Sequence, residues 1–383
     1  MKYMGHKGRI LNPITEAVGS LIERTSRIAD PFCGSAIVSW HLSSVFPNPV
    51  WASDLQHFSC ARAAAVIERC QPLPDAALEN WLSSASGVLQ HLSEHLSDVA
   101  TALPLNWSES GARNLVFEHR QVAERMKWRD NSALPVMTRA YGGHYFSVSQ
   151  AMIFDALRST LPVAVGARNL AMSALVGAAS RCSASPGHTA QPFQPTAGGS
   201  RWLLEGWRRS PERYVRSEWA HAESYTPLVR GRVAQGAAVD LIAQLREGAV
   251  ACLDPPDSGV HYSRFYHVLE TLTQGALVSV AGAGRYPPAE LRPVSAFSQR
   301  SRAPAALEEL LFTAADRGVR LVITFPFVQQ SNGLSAEFIQ SLAERYFGKV
   351  IVTEVESSFS SLGGRGVDRA ARKLQCEAII SAF

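Results

Sequence analysis

Short apolar strands alternating with helices occupy both ends of this chain and stop in the middle. That interruption limits what the chain can fold into. Over residues 1–70 the pattern predicts a helix at Lys7–Arg24, a strand at Arg27–Phe32, a helix at Ala36–Val45, a strand at Pro49–Ser53 ending on Asp54, and a helix at Ala61–Arg69. This is a β-α-β unit, the building block of a parallel sheet covered by helices. From Gly248 the alternation resumes. Strands are expected at Ala249–Leu253, Ala276–Val280 and Leu321–Phe325, and helices at Tyr262–Thr273, Ala305–Arg317 and Ala336–Tyr346, with a closing antiparallel pair at Val350–Val355 and Gln375–Ser381. Between them the apolar period is helical: Leu78, Leu82, Ala85, Leu89, Leu92, Leu96 and Val99 recur within Ala76–Ala102. Further helices are expected near Arg113–Arg129, Ser147–Ser159 and Val163–Ser180, and the Pro- and Gly-rich Ser183–Ser200 reads as a long surface loop. The prediction is an α/β domain split in sequence, 1–70 and 236–383, around a mostly helical insertion at 71–235.

Composition narrows the function classes. Apolar residues make up 46% of the 383 residues, enough for a sizeable core, and charged residues only 18%, which argues against disorder. A net charge of +4 tilts mildly toward an anionic partner. No apolar run approaches the ~18 residues of a membrane span, and the opening MKYMGHKGRI carries charges but no apolar signal core. The cysteines, Cys33, Cys60, Cys70, Cys182, Cys252 and Cys376, form no CxxC pair and have no His at zinc-ligand spacing, so reduced thiols in a cytoplasmic protein and no metal site are expected.

Two loops concentrate chemistry, and both begin with Asp-Pro after an apolar strand. Asp30-Pro31-Phe32-Cys33-Gly34-Ser35 leads from a strand into a helix, where α/β sheets bind ligands, and Gly34 permits close backbone approach. Asp54 ends the next strand 24 residues later, placed to grip ribose hydroxyls. A plain β–α turn has the same signature, and the absence of GxGxxG disfavours a dinucleotide. In Asp254-Pro255-Pro256-Asp257 the prolines hold the backbone outside the helical region and offer carbonyls without competing N–H groups, which suits a substrate amine. A strand-ending turn again reads the same way. Within the insertion, 201–232 carries seven arginines against four glutamates, interleaved with Trp202, Trp207, Tyr214, Trp219 and Tyr225. Arg201, Arg208 and Arg209 there, His188 in the preceding loop, and Arg285 and Arg300 in a second basic segment are candidate DNA contacts. A solvated helix with aromatic core residues is the alternative. Ser331-Asn332-Gly333 and 360–364 are turns first and ligand contacts second.

Taken in order, four blocks resemble the Dam-like family of DNA adenine-N6 methyltransferases: Lys2-Tyr3-Met4-Gly5-His6-Lys7, Asp30–Ser35, Ser53-Asp54 and Asp254-Pro255-Pro256. The run 261–270 also resembles the family's helix after its DPPY loop. The resemblance covers about 1–70 and 236–383. It implies a Rossmann-like methyltransferase sheet, S-adenosyl-L-methionine as cofactor and double-stranded DNA as substrate. It assigns cofactor binding to Tyr3, Lys7, Asp30, Pro31, Phe32, Gly34, Asp54, Asp240 and Asp254, and catalysis to Asp254, Pro255, Pro256 and Asp257. The chain departs from the family at Ala36, where DPFxGSG ends in glycine, and at Asp257, where DPPY has a tyrosine that stacks on the flipped adenine. Stacking contributes ~1–3 kcal/mol per base, so loss of the ring alone lowers activity roughly 10- to 100-fold; Tyr262, Phe265 and Tyr266 follow as replacement rings. The implied setting is restriction-modification or phage defence. The alternative is an impaired DNA-binding relative working with defence-system protein subunits. A small-molecule methyltransferase is disfavoured by the Arg- and Trp-bearing insertion.

Overall fold

The computed structural model describes residues 1–69, 73–74, 76–93, 108–127, 135–359 and 373–383. The ends of two expected helices (94–102 and 128–129), Cys70 and the 360–364 turn lie outside the described residues. The chain divides into two compact units.

The sheet unit comprises Gly5–Cys70, Tyr225–Ser263 and Pro293–Phe383. Its strands are β1 (Ile28–Asp30), β2 (Val50–Asp54), β3 (Arg232–Gln235), β4 (Val250–Leu253), β5 (Arg320–Pro326), β6 (Val350–Phe359) and β7 (Lys373–Ala382). They form a single seven-stranded sheet in the order β3-β2-β1-β4-β5-β7-β6. β1 to β5 run parallel, and β7 lies antiparallel between β5 and β6. This is the Rossmann-like methyltransferase architecture expected from the sequence. Parallel strands need both faces covered, and β4 and the centre of β5 are buried along their length. Leu253, Ile323 and Phe325 share one core with Leu307, Leu310 and Ile339 from the helices Ala303–Asp316 and Ala336–Ala343. From β1 the chain works outward through β2 to β3, then returns to place β4 on the other side of β1. Such a switch point opens a crevice beyond the carboxyl ends of the two central strands.

Two expectations are corrected here. Residues 225–235, assigned to the insertion, belong to the sheet unit, because β3 pairs with β2 from Trp51↔Arg232 to Asp54↔Gln235. Residues 276–280 form no strand; Ala276, Leu277 and Ser279 are exposed, and the segment leads into a tight turn bridged between Ala281 and Tyr286. The closing pair is longer than expected, running in register from Val350↔Ala382 to Phe359↔Lys373.

The helical unit comprises Met1–Met4, Gln71–Ser224 and Arg264–Arg292. At its centre the helix Val165–Cys182 is buried on nearly every side, which its run of Ala, Gly and Ser permits. Gly177 is required there, since a Cβ would lie 2.3 Å from the carboxylate of Glu218 on the helix Pro211–Glu223. Asp155 anchors the start of the helix Val136–Tyr141, accepting from the Met137 and Thr138 amides and the Thr138 hydroxyl; burial pushes its carboxyl up to about 6. The 183–199 loop is tied down by the Tyr145 hydroxyl, which reaches the carbonyls of Thr189 (2.6 Å) and Gly284 (2.8 Å).

Candidate active site at the strand ends

β1 and β4 are neighbours, so the two Asp-Pro loops, more than two hundred residues apart in sequence, leave the sheet side by side. The first loop is held by its backbone. Gly34 donates its amide to Asp54 Oδ2 (3.0 Å), and Asp54 Oδ1 accepts from the Gln56 amide (2.9 Å). The Ser35 carbonyl accepts from the buried Arg62 guanidinium (3.2 Å), which lies over the Trp40 ring. The loop turns through two left-handed residues, Gly34 (φ 46°) and Ala36 (φ 67°), and Ala36 then caps the helix Ile37–Val45. Ala36 therefore occupies a backbone conformation that glycine adopts without strain and alanine does not. Phe32 packs edge-on against Phe297 at 5.1 Å, and Pro31 is buried. Asp30, also buried, accepts from Ser39 Oγ at 2.6 Å. Burial lifts its carboxyl to about 7; the Ser39 hydrogen bond opposes this, and the charges of Asp254 and Asp54 add to it.

The second loop is held by charge and side chains. Asp254 Oδ1 meets Lys7 Nζ (3.1 Å) and accepts from Thr324 Oγ1 on β5 (3.2 Å). Among the described residues its Oδ2 accepts no hydrogen bond, and about a third of the side chain is open. Desolvation by the surrounding strand ends lifts Asp254 to about 6; Lys7 opposes the shift, while Glu377 and Asp257 add to it. Lys7 is buried, and it also meets Glu377 Oε1 on β7, at 2.7 Å. Burial alone would lower the ammonium, but Asp254 and Glu377 outweigh it and hold the lysine charged. Beyond Asp254, Asn332 Nδ2 donates to the carbonyls of Pro256 (2.6 Å) and Phe297 (3.0 Å), and Gly259 donates to Ser331 Oγ (2.8 Å). The Tyr262 hydroxyl donates to Asp257 Oδ1 at 3.1 Å.

The structure thus brings Lys7, Asp30, Pro31, Phe32, Gly34, Asp54 and the Asp254–Asp257 loop to one edge of the sheet. Asp240 is exposed on the short helix Ala238–Ile242, which follows β3 beside the end of β2, where Gly236 donates to the Asp54 carbonyl. Tyr3 belongs to the helical unit and stacks on Tyr266 at 4.8 Å. Glu377 and Thr324 join the site without having been singled out for it, and Asn332 joins it from a turn read as a ligand contact only second.

The candidate DNA contacts divide. Arg201 and Arg208 are exposed on and just after the helix Ser200–Trp207, and Arg300 is exposed in the sheet unit. Arg209 spends its guanidinium on the Arg181 carbonyl (2.7 Å) and Glu205 (3.0 Å). Arg285, itself at φ 53°, donates to the Ala140 and Arg139 carbonyls. His188 accepts from the Ala190 amide and lies against Phe265; burial lowers its pKa, which favours the neutral ring.

Residues 3–92 match the family model described as D12 class N6 adenine-specific DNA methyltransferase. The match spans Tyr3, Lys7, the Asp30–Ala36 loop and Asp54, and ends well before Asp254. No curated protein matches the chain. Over residues 3–92 the chain is similar to the D12 class of N6 adenine-specific DNA methyltransferases, the same Dam-like family that its motifs resemble.

Proposed function

We propose that this protein transfers a methyl group from S-adenosyl-L-methionine to the N6 amine of adenine in double-stranded DNA. The observation that carries the reading is the placement of three acids: Asp30, Asp54 and Asp254 leave neighbouring strand ends, and Asp254 keeps one oxygen open beside two prolines. The charge of this donor set suits the cofactor, since carboxylates that raise one another's pKa are relieved by a positively charged ligand. In this reading Lys7 and Asp54 hold the methionine and ribose ends, and Asp30, Pro31, Phe32, Gly34 and Asp240 complete the pocket. When bound, that cofactor supplies an electrophilic methyl on a sulfonium sulfur, which keeps the bonding electron pair.

The protein's own part is positioning. Asp254 Oδ2 and the Pro255 carbonyl accept hydrogen bonds from the N6 amine, which turns the nitrogen lone pair toward the methyl. The nitrogen forms the new N–C bond and sheds one proton through Asp254 to solvent. Lys7 and Thr324 fix the Asp254 carboxylate from the Oδ1 side, so the acceptor is aimed before substrate arrives. An adenine in a duplex must leave the stack to reach this crevice. Arg201, Arg208 and Arg300 are the exposed cations proposed for phosphate contact. Restriction-modification or phage defence is the setting we infer, on the family match alone.

One observation favours a second reading. Asp257 occupies the place of the family's aromatic residue, which fits a chain that binds cofactor and DNA without transferring the methyl. Tritiated-methyl transfer to unmethylated genomic DNA, followed by sequencing for N6-methyladenine, separates the two. Incorporation at adenine is expected. Cofactor binding by calorimetry with no incorporation overturns the catalytic reading in favour of the second.

A further inference from the structure

Glu377 is an acid in an apolar strand. It stands in β7 just before Ala378, Ile379 and Ile380, and its side chain is 1% exposed. The sheet explains where it sits. β7 runs antiparallel to β5, with Pro326 opposite Glu377 and Thr324 opposite Ile379, so Glu377 lies at the carboxyl end of β5, the edge at which Asp254 leaves β4. Residues two apart on a strand, and residues opposite across a ladder, share a face. Glu377 is therefore on the face of Thr324, whose hydroxyl donates to Asp254 Oδ1. Lys7 Nζ bridges the two acids, 2.7 Å from Glu377 Oε1 and 3.1 Å from Asp254 Oδ1. The other oxygen, Glu377 Oε2, is buried without a hydrogen bond among the described residues. Stability does not account for such a group. Apolar side chains of the same volume in place of a buried ion pair are often neutral or stabilising, and an unmatched buried oxygen adds to the cost. β7 also pairs with β5 and β6 through its backbone, whatever side chain stands at this position. What the carboxylate does in this structure is hold the ammonium that touches Asp254.

We propose that Glu377 is a positioning residue of this site: from β7 it fixes the Lys7 ammonium and balances its charge, so that Asp254 stays a strong and aimed acceptor. The proposal rests on the methyl-transfer reading above and deepens it. One cation shared between two carboxylates leaves the cluster negative, whereas the same cation facing Asp254 alone would neutralise the acceptor that the amine needs. The charged groups that face Asp254 are Lys7 from the turn Lys7–Arg9, Glu377 from β7, Asp30 from β1 and Asp257 from its own loop. Burial lifts the Asp254 carboxyl, Lys7 opposes the shift, and Glu377 and Asp257 add to it. Taking the charge off Glu377 therefore lowers the pKa of Asp254, and exchanging it for another acid does not.

The test uses the full chain and two readouts. The first is nuclear magnetic resonance of the chain with carboxyl-labelled aspartate, in which the Asp254 signal is the one that Asp254→Asn removes. The second is the pH profile of tritium transfer to genomic DNA. Glu377→Gln keeps length, volume and an acceptor for Lys7 and removes the charge. The Asp254 titration midpoint should fall by about half to one pH unit, and the acid limb of kcat should move down with it. At pH 8, where Asp254 is ionised in both proteins, kcat should drop roughly 2- to 10-fold with the KM for DNA unchanged, the split expected of a group that acts on the acceptor and not on DNA. Glu377→Asp keeps the charge and should keep the wild-type midpoint and acid limb. A folded Glu377→Gln protein in which Asp254 titrates as in wild type overturns the proposal. So does Glu377→Asp shifting as far as Glu377→Gln, which would reduce the residue to packing. If the wild type transfers no methyl to DNA, the methyl-transfer reading fails by itself. The Asp254 signal then decides Glu377: a midpoint lowered in Glu377→Gln and kept in Glu377→Asp supports its hold on Asp254, and any other pattern overturns it.

Discussion

The loops after β1 and β4 start alike and are held differently. Each begins with Asp-Pro at the end of a central parallel strand, and each departs from the family pattern at one residue. In the first loop the departure, Ala36, bears on the backbone alone: the chain keeps the left-handed turn and puts a methyl group where glycine sits without strain. In the second the departure, Asp257, bears on a side chain, whose carboxylate accepts a hydrogen bond from the Tyr262 hydroxyl outside the loop. The first loop is shaped by amide hydrogen bonds to Asp54, the second by ion pairs through Lys7 and by Asn332. A loop held by its own amides keeps its shape with a strained residue in it. A loop held through its side chains needs them fixed from several strands at once.

The strongest way to break this comparison is Lys7→Met. It leaves Glu377 and Asp254 without their shared cation, and losing one partner of a buried ion pair costs about 3–5 kcal/mol. Urea unfolding should show a loss of that order, with the Asp254 carboxyl driven further up; a loss under about 1 kcal/mol means that charge does not hold the second loop. Asp54→Ala strikes the first loop. The Gly34 and Gln56 amides lose their acceptor, and S-adenosyl-L-methionine affinity should fall by about 1.5–3 kcal/mol, the range for hydrogen bonds to a charged group. Unchanged affinity by calorimetry in a folded variant removes Asp54 from the cofactor site.

Asp30 sharpens the comparison through pH. Its carboxyl stands at about 7 in the folded protein against 3.8 as an ordinary carboxyl, so the folded state holds the proton longer than the unfolded state does. That contribution is fully present below about pH 4 and is lost as pH rises toward 7. Asp30→Asn removes the titration. It should melt about 1 °C above the parent at pH 8, the shift that ~1 kcal/mol produces across 383 residues, and converge with it near pH 4. Equal melting at both pH values means that the carboxyl is not desolvated. The smallest effect is expected from Ala36→Gly. Relief of the left-handed strain, less the added freedom of glycine in the unfolded chain, should stabilise by about 0.5–1 kcal/mol. Denaturant unfolding showing a loss instead means that the buried Ala36 methyl contributes more to packing than its conformation costs.

What could be read from the chain alone follows from where its signals are local. Asp30, Asp54 and Asp254 each end an apolar run, so strand and acid announce each other. Glu377 gives almost no such signal. It is one charge inside an apolar run from Cys376 to Ile380, and its partner Lys7 lies at the other end of the sequence. Asn332 reads as a turn residue until its amide is seen on the Pro256 carbonyl. β3 is four residues long, exposed at Arg232 and Gln235, and exists because β2 offers it an edge. Residues 276–280 carry a strand's composition without a strand to pair with. Arginine counts likewise register charge but not commitment, and Arg209 and Arg285 are spent on main-chain carbonyls.

The order of the strands also sets a timetable. β1 and β2 leave the ribosome first, yet the strands that flank them, β4 and β3, begin only at Val250 and Arg232. At synthesis rates of ~5–20 residues per second the interval between β2 and β3 lasts roughly ten to forty seconds. Throughout it the first parallel pair has two unpaired edges, the condition that invites pairing with another chain. Any product that stops before Arg232 is left in that state for good, and should aggregate even though the whole Asp30–Ala36 loop has been made.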